Sequence, residues 1–166
     1  MTVAGLPPFQ RFLDAHRDDV LRYLIASLGS HDADDAFQET FISALRAYPR
    51  LRPGSDARAW VLTIAHRKAI DVHRARARRP VPVPELEDRA AVDPIASGDE
   101  RPGSEGWERV RALPPRQRAV LTLRYAADLT HREIAGVLDC SEEAARRAAA
   151  DGLKTLREDL DVAAPA

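Results

Sequence analysis

The sequence predicts an all-α protein: two small helical domains joined by a flexible acidic linker. Three observations carry this expectation. Ala, Leu and Arg are abundant while aromatic residues are only 5% of 166, which suits helices packed through aliphatic side chains rather than strands rich in β-branched and aromatic residues. Apolar residues recur at three- and four-residue steps in two stretches, one toward each end. Between them, residues 80–106 carry Pro at 80, 82, 84, 94 and 102 and Gly at 98, 103 and 106, with no sustained hydrophobic period, the composition of a tether. The domains are therefore placed at 1–79 and 107–166, with the linker at 80–106.

The first helix should run from about Phe9 to Leu28, with Phe9, Phe12, Leu13, Val20, Leu24 and Leu28 near one face and Gly29 as its stop. Asp32 or Asp34 can cap a second helix, in which Phe37, Phe41, Ala44, Leu45 and Tyr48 turn inward and Asp35, Gln38, Glu39, Ile42 and Arg46 remain outside. Pro49, Pro53 and Gly54 forbid continuation. Ser55 or Asp56 restarts the chain as a third helix to about Arg78, with Trp60, Ile64, Ala65, Ala69 and Val72 as its buried stripe and Arg67, Lys68, Asp71 and Arg74 on the other face.

Beyond the linker, Trp107, Val110 and Leu113 lead into a helix that Pro114 or Pro115 can open, with Val120, Leu121, Leu123 and Tyr125 as its apolar surface. Thr130 to Glu133 reads T-x-x-E, a capping box, at the head of a short helix burying Ile134, Ala135 and Leu138. Asp139 and Cys140 make a tight turn, and Ser141 caps a last helix to about Leu160 that turns Ala145, Ala149, Leu153, Leu156 and Leu160 inward. Two helices joined this closely describe a helix-turn-helix. Gly152 should weaken the last helix by about 1 kcal/mol relative to Ala.

A net charge of −1 hides segregation. Residues 1–79 hold 13 basic and 9 acidic side chains, residues 80–106 hold 2 and 7, and residues 107–166 hold 10 of each. Within 58–79 there are seven basic residues and one acid, Asp71, an electrostatic footprint for nucleic acid that a solvated helix end would also produce. No apolar run approaches the roughly 18 residues that cross a bilayer, and MTVAGLPPFQ lacks the basic and apolar regions of a secretion signal, so a cytoplasmic protein without membrane insertion is expected. Cys140 is the sole cysteine, which excludes an internal disulfide and a multi-cysteine metal site within this chain. His16, His31, His66, His73 and His131 show no paired-ligand spacing, and no glycine-rich phosphate loop or nucleophile elbow is present. No enzyme, metal or cofactor is expected.

In order along the chain, DADDAFQETF, the loop before RAW, W-x-x-x-IA-x-x-x-AID from Trp60 to Asp71, then LPPRQR, LRY and EIA resemble the extracytoplasmic-function group of bacterial sigma factors. Such proteins keep only the second and fourth conserved regions of larger sigma factors. The resemblance implies an adaptor that binds core RNA polymerase, at its beta-prime clamp helices and beta flap, and directs promoter-specific initiation: region two opens DNA at a minus-10 element and region four reads a minus-35 element as duplex. It also implies that the acidic linker imitates nascent RNA in the polymerase exit path, and it allows regulation by an anti-sigma factor.

Carried onto this chain, the resemblance assigns polymerase binding to Asp35, Gln38, Glu39 and Ile42, a mixed polar and apolar surface. Minus-10 DNA falls to the loop residues Arg50, Leu51, Arg52, Ser55 and Asp56, candidates for a pocket that holds an unstacked base, and to Arg58, His66, Arg67, Lys68 and Arg74 along the third helix. His66 stands near a position where relatives commonly have Asn, and an imidazole differs from an amide in reach and protonation. Minus-35 DNA falls to Arg146, Arg147, Ala150, Asp151 and Lys154. Asp151 departs from the family's basic pattern: a carboxylate repels phosphates but can accept from cytosine N4. Two further readings stay open. A sigma-like regulator would bind polymerase or a sigma antagonist without initiating, and a conventional helix-turn-helix regulator would use the C-terminal half, normally as a dimer.

Overall fold

The structure, a computed structural model, describes residues 5–78 and 105–163. Among these residues there are seven α-helices and no strand. The linker expectation falls largely on residues outside this set.

Helix α1 (Phe9–Leu28) and helix α2 (Ser30–Ala47) are separated by one residue, Gly29, whose φ of 82° reverses the chain where a side chain would be strained. Gly29 N–H donates to Ile25 O at 2.8 Å. The predicted α2 start at Asp32 or Asp34 therefore shifts upstream: the turn at Gly29 does the work, and no side chain caps the helix. A 3₁₀ turn at Tyr48–Arg50 leads to α3 (Ala57–Arg78), where Asp56 Oδ1 accepts from Ala59 N at 3.0 Å as the anticipated cap.

Helices α1, α2 and α3 pack on one another around Phe12, Phe41 and Tyr48, with Phe9, Phe37 and Trp60 partly buried against them. Phe12 is the hub: its ring lies 5.0 Å from Tyr48 and 5.6 Å from Trp60, centroid to centroid, within the range where aromatic pairs add to plain burial. Tyr48 Oη donates to Pro7 O at 2.7 Å, anchoring the segment before α1.

The second half comprises α4 (Glu105–Ala112), α5 (Pro115–Tyr125), α6 (His131–Leu138) and α7 (Glu142–Ala163). Helix α4 begins inside the stretch assigned to the linker, and it buries Trp107. The capping box is complete: Thr130 Oγ1 accepts from Glu133 N, and Glu133 Oε2 accepts from Thr130 N at 2.7 Å. Asp139 ends α6 in the left-handed conformation (φ 51°), and Ser141 Oγ accepts from Ala144 N at 3.1 Å to start α7. Three residues thus make the turn of the helix-turn-helix.

The two halves also pack against each other: α3 meets α6, and α1 meets α4 and α5. One apolar core runs through both, from Phe12, Leu24 and Leu62 to Leu123, Ile134 and Ala145. A smaller cluster joins Ala26 of α1 to Trp107 and Ala126, with Val110 beside it. This explains why the buried residues of α3 are Val61, Leu62, Ala65 and Ala69, whereas Trp60, Ile64 and Val72 are only partly covered: a helix with partners on two sides buries two stripes. Three other residues expected on apolar faces are open to solvent. Leu45 is 53% exposed, Tyr125 59% and Leu160 54%, because nothing among the described residues packs over those faces.

No described helix is long and apolar enough to cross a membrane, and no described cluster of His, Cys, Asp and Glu could hold a metal ion.

Gly152 is buried, and a Cβ there would meet Leu121 Cδ1 at 2.9 Å and Gln117 Cβ at 3.3 Å. Its place in α7 thus reflects the close approach of α5. Gly152→Val should lower the thermal stability of the whole chain by about 1–3 kcal/mol, against the slight gain that helix propensity alone would give. Hydrogen bonds from Thr130 hold the Glu133 carboxyl below its ordinary 4.5. Its stabilising contribution is therefore present above that value and fades as pH falls through the folded one. Thr130→Ala should cost about 1 kcal/mol and return the Glu133 titration, followed by NMR, toward 4.5.

Candidate nucleic-acid interface

Helix α2 turns Ala33, Ala36, Thr40, Phe41 and Ala44 into the bundle, which leaves Asp35, Gln38, Glu39 and Ile42 together on its solvent side. Leu45, one turn beyond Ile42, extends the apolar part of this face. The sequence placed Leu45 inside; its three-residue spacing from Ile42 was the available signal. Glu39 Oε2 lies 3.8 Å from Lys68 Nζ, linking this face to α3.

In the loop before α3, Arg50, Arg52, Ser55 and Asp56 are exposed and Leu51 is half-buried against the core. Ser55 N–H donates to Arg52 O at 3.1 Å and Gly54 has φ 83°, so the loop is a compact turn rather than an open strand. Asp56 spends one carboxylate oxygen on the helix cap.

The residues assigned along α3 divide into two groups. Arg67 and Arg74, seven apart, lie exposed on one face, and Arg78 continues that stripe one turn on. Arg78 was counted in the basic footprint but not among the candidates. Arg58 and His66 instead lie at the junction with the second half. Arg58 Nε donates to Asp19 Oδ2 at 2.8 Å, and its Nη2 donates to the backbone carbonyl of Ala127. His66 Nδ1 is 2.9 Å from the hydroxyl of Tyr23, which is fully buried. Burial, then Arg118 of α5, then Arg67 push the His66 imidazole down to about 4, so it is uncharged at neutral pH and adds nothing to a cationic track. Lys68 is half-buried beside Glu39. Arg76 is also engaged, with Nη2 donating to Leu28 O at 2.8 Å and Nε to Asp32 Oδ2 at 2.8 Å.

On α7, burial of Ala145, Ala148, Ala149 and Gly152 turns Arg146, Arg147, Ala150, Asp151 and Lys154 outward together. Arg146 pairs with Glu142, and Arg147 with Glu143 at 3.0 Å. Both pairs are solvent-exposed, and such pairs contribute at most about 1 kcal/mol, so exchange for a phosphate costs little. Asp151 stands one turn after Arg147 and one turn before Lys154, in the middle of the basic face.

A groove of about 340 Å³ opens between α4, α5 and α7, lined by Trp107, Val110, Leu121, Tyr125, Leu153 and Leu156. Periodicity turns Leu153 and Leu156 inward and makes Leu121 and Tyr125 an apolar surface, because a groove floor and a core have the same pattern.

Residues 12–79 match the family model for Sigma-70 region 2, and residues 107–156 match the model for Sigma-70, region 4. The chain is 31% identical over 163 residues to the ECF RNA polymerase sigma factor SigE of Mycolicibacterium smegmatis, covering 95% of this chain and 63% of that protein. It is 31% identical over 161 residues to SigD of Mycobacterium tuberculosis, covering 89% of this chain and 74% of SigD. Among solved structures, the sigma factor RpoE in complex with the anti-sigma factor NepR from Bartonella quintana superposes with a TM-score of 0.72 at 19% identity, over 94% of this chain and 98% of that one. CnrH in complex with the cytosolic domain of CnrY gives 0.69 at 20% identity, over 94% and 89%. At such identities these two attest the fold. With helix α3 inside one matched region, α6 and the turn into α7 inside the other, and a relative matched over most of its length, the chain belongs to the extracytoplasmic-function family of sigma factors.

Proposed function

We propose that this chain binds core RNA polymerase through α2, at the beta-prime clamp helices, and directs it to promoters. The exposed stripe of α3 with the 50–56 loop handles minus-10 DNA, and α7 meets minus-35 DNA as duplex. The observation that carries this is one chain presenting three distinct faces: an acidic and apolar one on α2, a basic one on α3, and a second basic one on α7. Mixed apolar and polar surface suits a protein contact, while arginine stripes suit phosphates. The functional units are residues 1–79, 80–106 and 107–166. The groove beside Trp107 and Tyr125 suits an apolar helix of a partner, and the beta flap of polymerase is the partner we assign to it. An anti-sigma factor fits as a regulator, since the similar RpoE is in complex with the anti-sigma factor NepR and CnrH with the cytosolic domain of CnrY. The work is positioning and strand capture in the cytoplasm, and no covalent chemistry or cofactor is required of the chain itself.

A regulator that binds polymerase without initiating is the second reading. It is favoured by Asp151 within the α7 face and by the covered positions of Arg58 and His66.

Reconstituted transcription separates the two: purified chain and core polymerase on a library of promoter fragments, with the RNA sequenced. Defined start sites that require the chain are expected; polymerase binding without them would replace the first reading by the second. On a promoter found this way, Arg146→Glu and Arg147→Glu should each lower output about tenfold and reduce the salt dependence by about one phosphate contact. Unchanged output from both would remove α7 from the DNA contact. Asp151→Arg should alter which minus-35 sequences are used, and an unchanged set would place that carboxylate away from the bases.

A further inference from the structure

His66 and His73 are seven residues apart and so share one face of α3, the face turned to the second half. Neither has a role in the DNA contacts as the structure arranges them. Their surroundings are unusual for imidazoles. His66 meets the Tyr23 hydroxyl of α1, with Arg118 of α5 and Arg67 of its own helix as the nearby charges. His73 has a buried Nε2 with no hydrogen-bond partner among the described residues. It faces Arg118 from α5, Arg76 and His66 on α3, and Asp32 from α2. That single carboxylate is already held by Arg76. Three guanidinium groups and one engaged carboxylate therefore surround the two imidazoles.

Other contacts also hold the halves together, and the Glu133 and Asp128 carboxylates of the second half face Arg58 across them. Arg111 of α4 donates to the carbonyl of Ala26 at 3.3 Å, at the end of α1 where carbonyls lack helical partners. Arg58 of α3 reaches the Ala127 carbonyl, and Ala26, Trp107 and Ala126 close the apolar cluster.

We infer that this junction is a proton-operated latch: it stays closed while His66 and His73 are uncharged, and opens when they take up protons, releasing Arg58 from the second half. The physical reason is that Arg118 belongs to the second half while both histidines belong to the first. Each added proton places a positive charge opposite a cation that leaves when the halves part. In the closed state burial and these cations hold both imidazoles at about 4, against an ordinary 6.5. The sign follows. Above 6.5 both states are uncharged and closure is unopposed, whereas between 6.5 and 4 the open state binds more protons, so closure weakens as pH falls. The ceiling is about tenfold per pH unit for each histidine, and it is not reached because Tyr23 keeps covering His66 after the halves separate.

The test uses the full chain with one dye on the native Cys140 and another on an introduced cysteine, Arg46→Cys, on α2. Energy transfer should fall between pH 6.5 and 4 while helical circular dichroism stays constant. With His66→Gln and His73→Gln together the fall should disappear, because glutamine can still accept from Tyr23 but does not titrate. Ala126→Arg, which forces a charge into the apolar cluster, should open the junction at neutral pH and bring the His73 titration, followed by NMR, up toward 6.5. It decides the matter should the double variant fail to fold. Constant transfer in the wild type, an equal fall in the double variant, loss of helix before loss of transfer, or an unchanged His73 titration in Ala126→Arg would each overturn the latch.

Discussion

Helix α3 is confined from two directions. The aromatic cluster of α1 and α2 takes one side, α6 takes another, and Val61, Leu62, Ala65 and Ala69 are buried between them. Burial of such aliphatic side chains contributes roughly 1.5–3 kcal/mol for each large one, far more than any exposed ion pair on the same helix. The apolar contacts therefore set the rotation of α3 about its axis, and every charged residue on it takes the place left over. Arg67, Arg74 and Arg78 are carried into solvent, while Arg58, His66 and His73 are carried to the junction.

That division explains how one helix can serve two purposes. Its open stripe is available to a nucleic-acid backbone whatever the second half does. Arg58 is available only when α5 and α6 withdraw, because its guanidinium is shared between the Asp19 carboxylate and the Ala127 carbonyl. An arginine held by one charged and one neutral acceptor, partly exposed, is neither deeply trapped nor free. The same economy holds on α7, where Glu142 and Glu143 occupy Arg146 and Arg147 through weak exposed pairs that a phosphate can displace.

The local features were legible in the sequence, and the reason is physical. A capping box is encoded within four residues, so Thr130 and Glu133 announced α6; Gly29 announced the end of α1, and periodicity placed Asp35, Gln38, Glu39 and Ile42 on the outside of α2. What escaped depends on partners distant in sequence. Nothing near Arg58 or His66 says that Ala127, 69 positions on, or Tyr23, 43 positions back, will engage them. Gly152 looked like a local weakness and is a close approach of α5. Leu45, Tyr125 and Leu160 have the spacing of core residues, and only the absence of a covering helix among the described residues distinguishes them. The family resemblance supplied roles for individual positions, but it carried no information about which side chains the packing of the two halves would cover.

The account holds that α3 presents its exposed basic stripe to minus-10 DNA once polymerase positions the chain on a promoter. The direct measurement is photo-crosslinking from a benzophenone carried at position 74 to promoter DNA, with and without core polymerase. It predicts a crosslink mapping to the minus-10 segment that requires the polymerase. A crosslink equally strong without polymerase, or none in its presence while start sites are still selected, would contradict it.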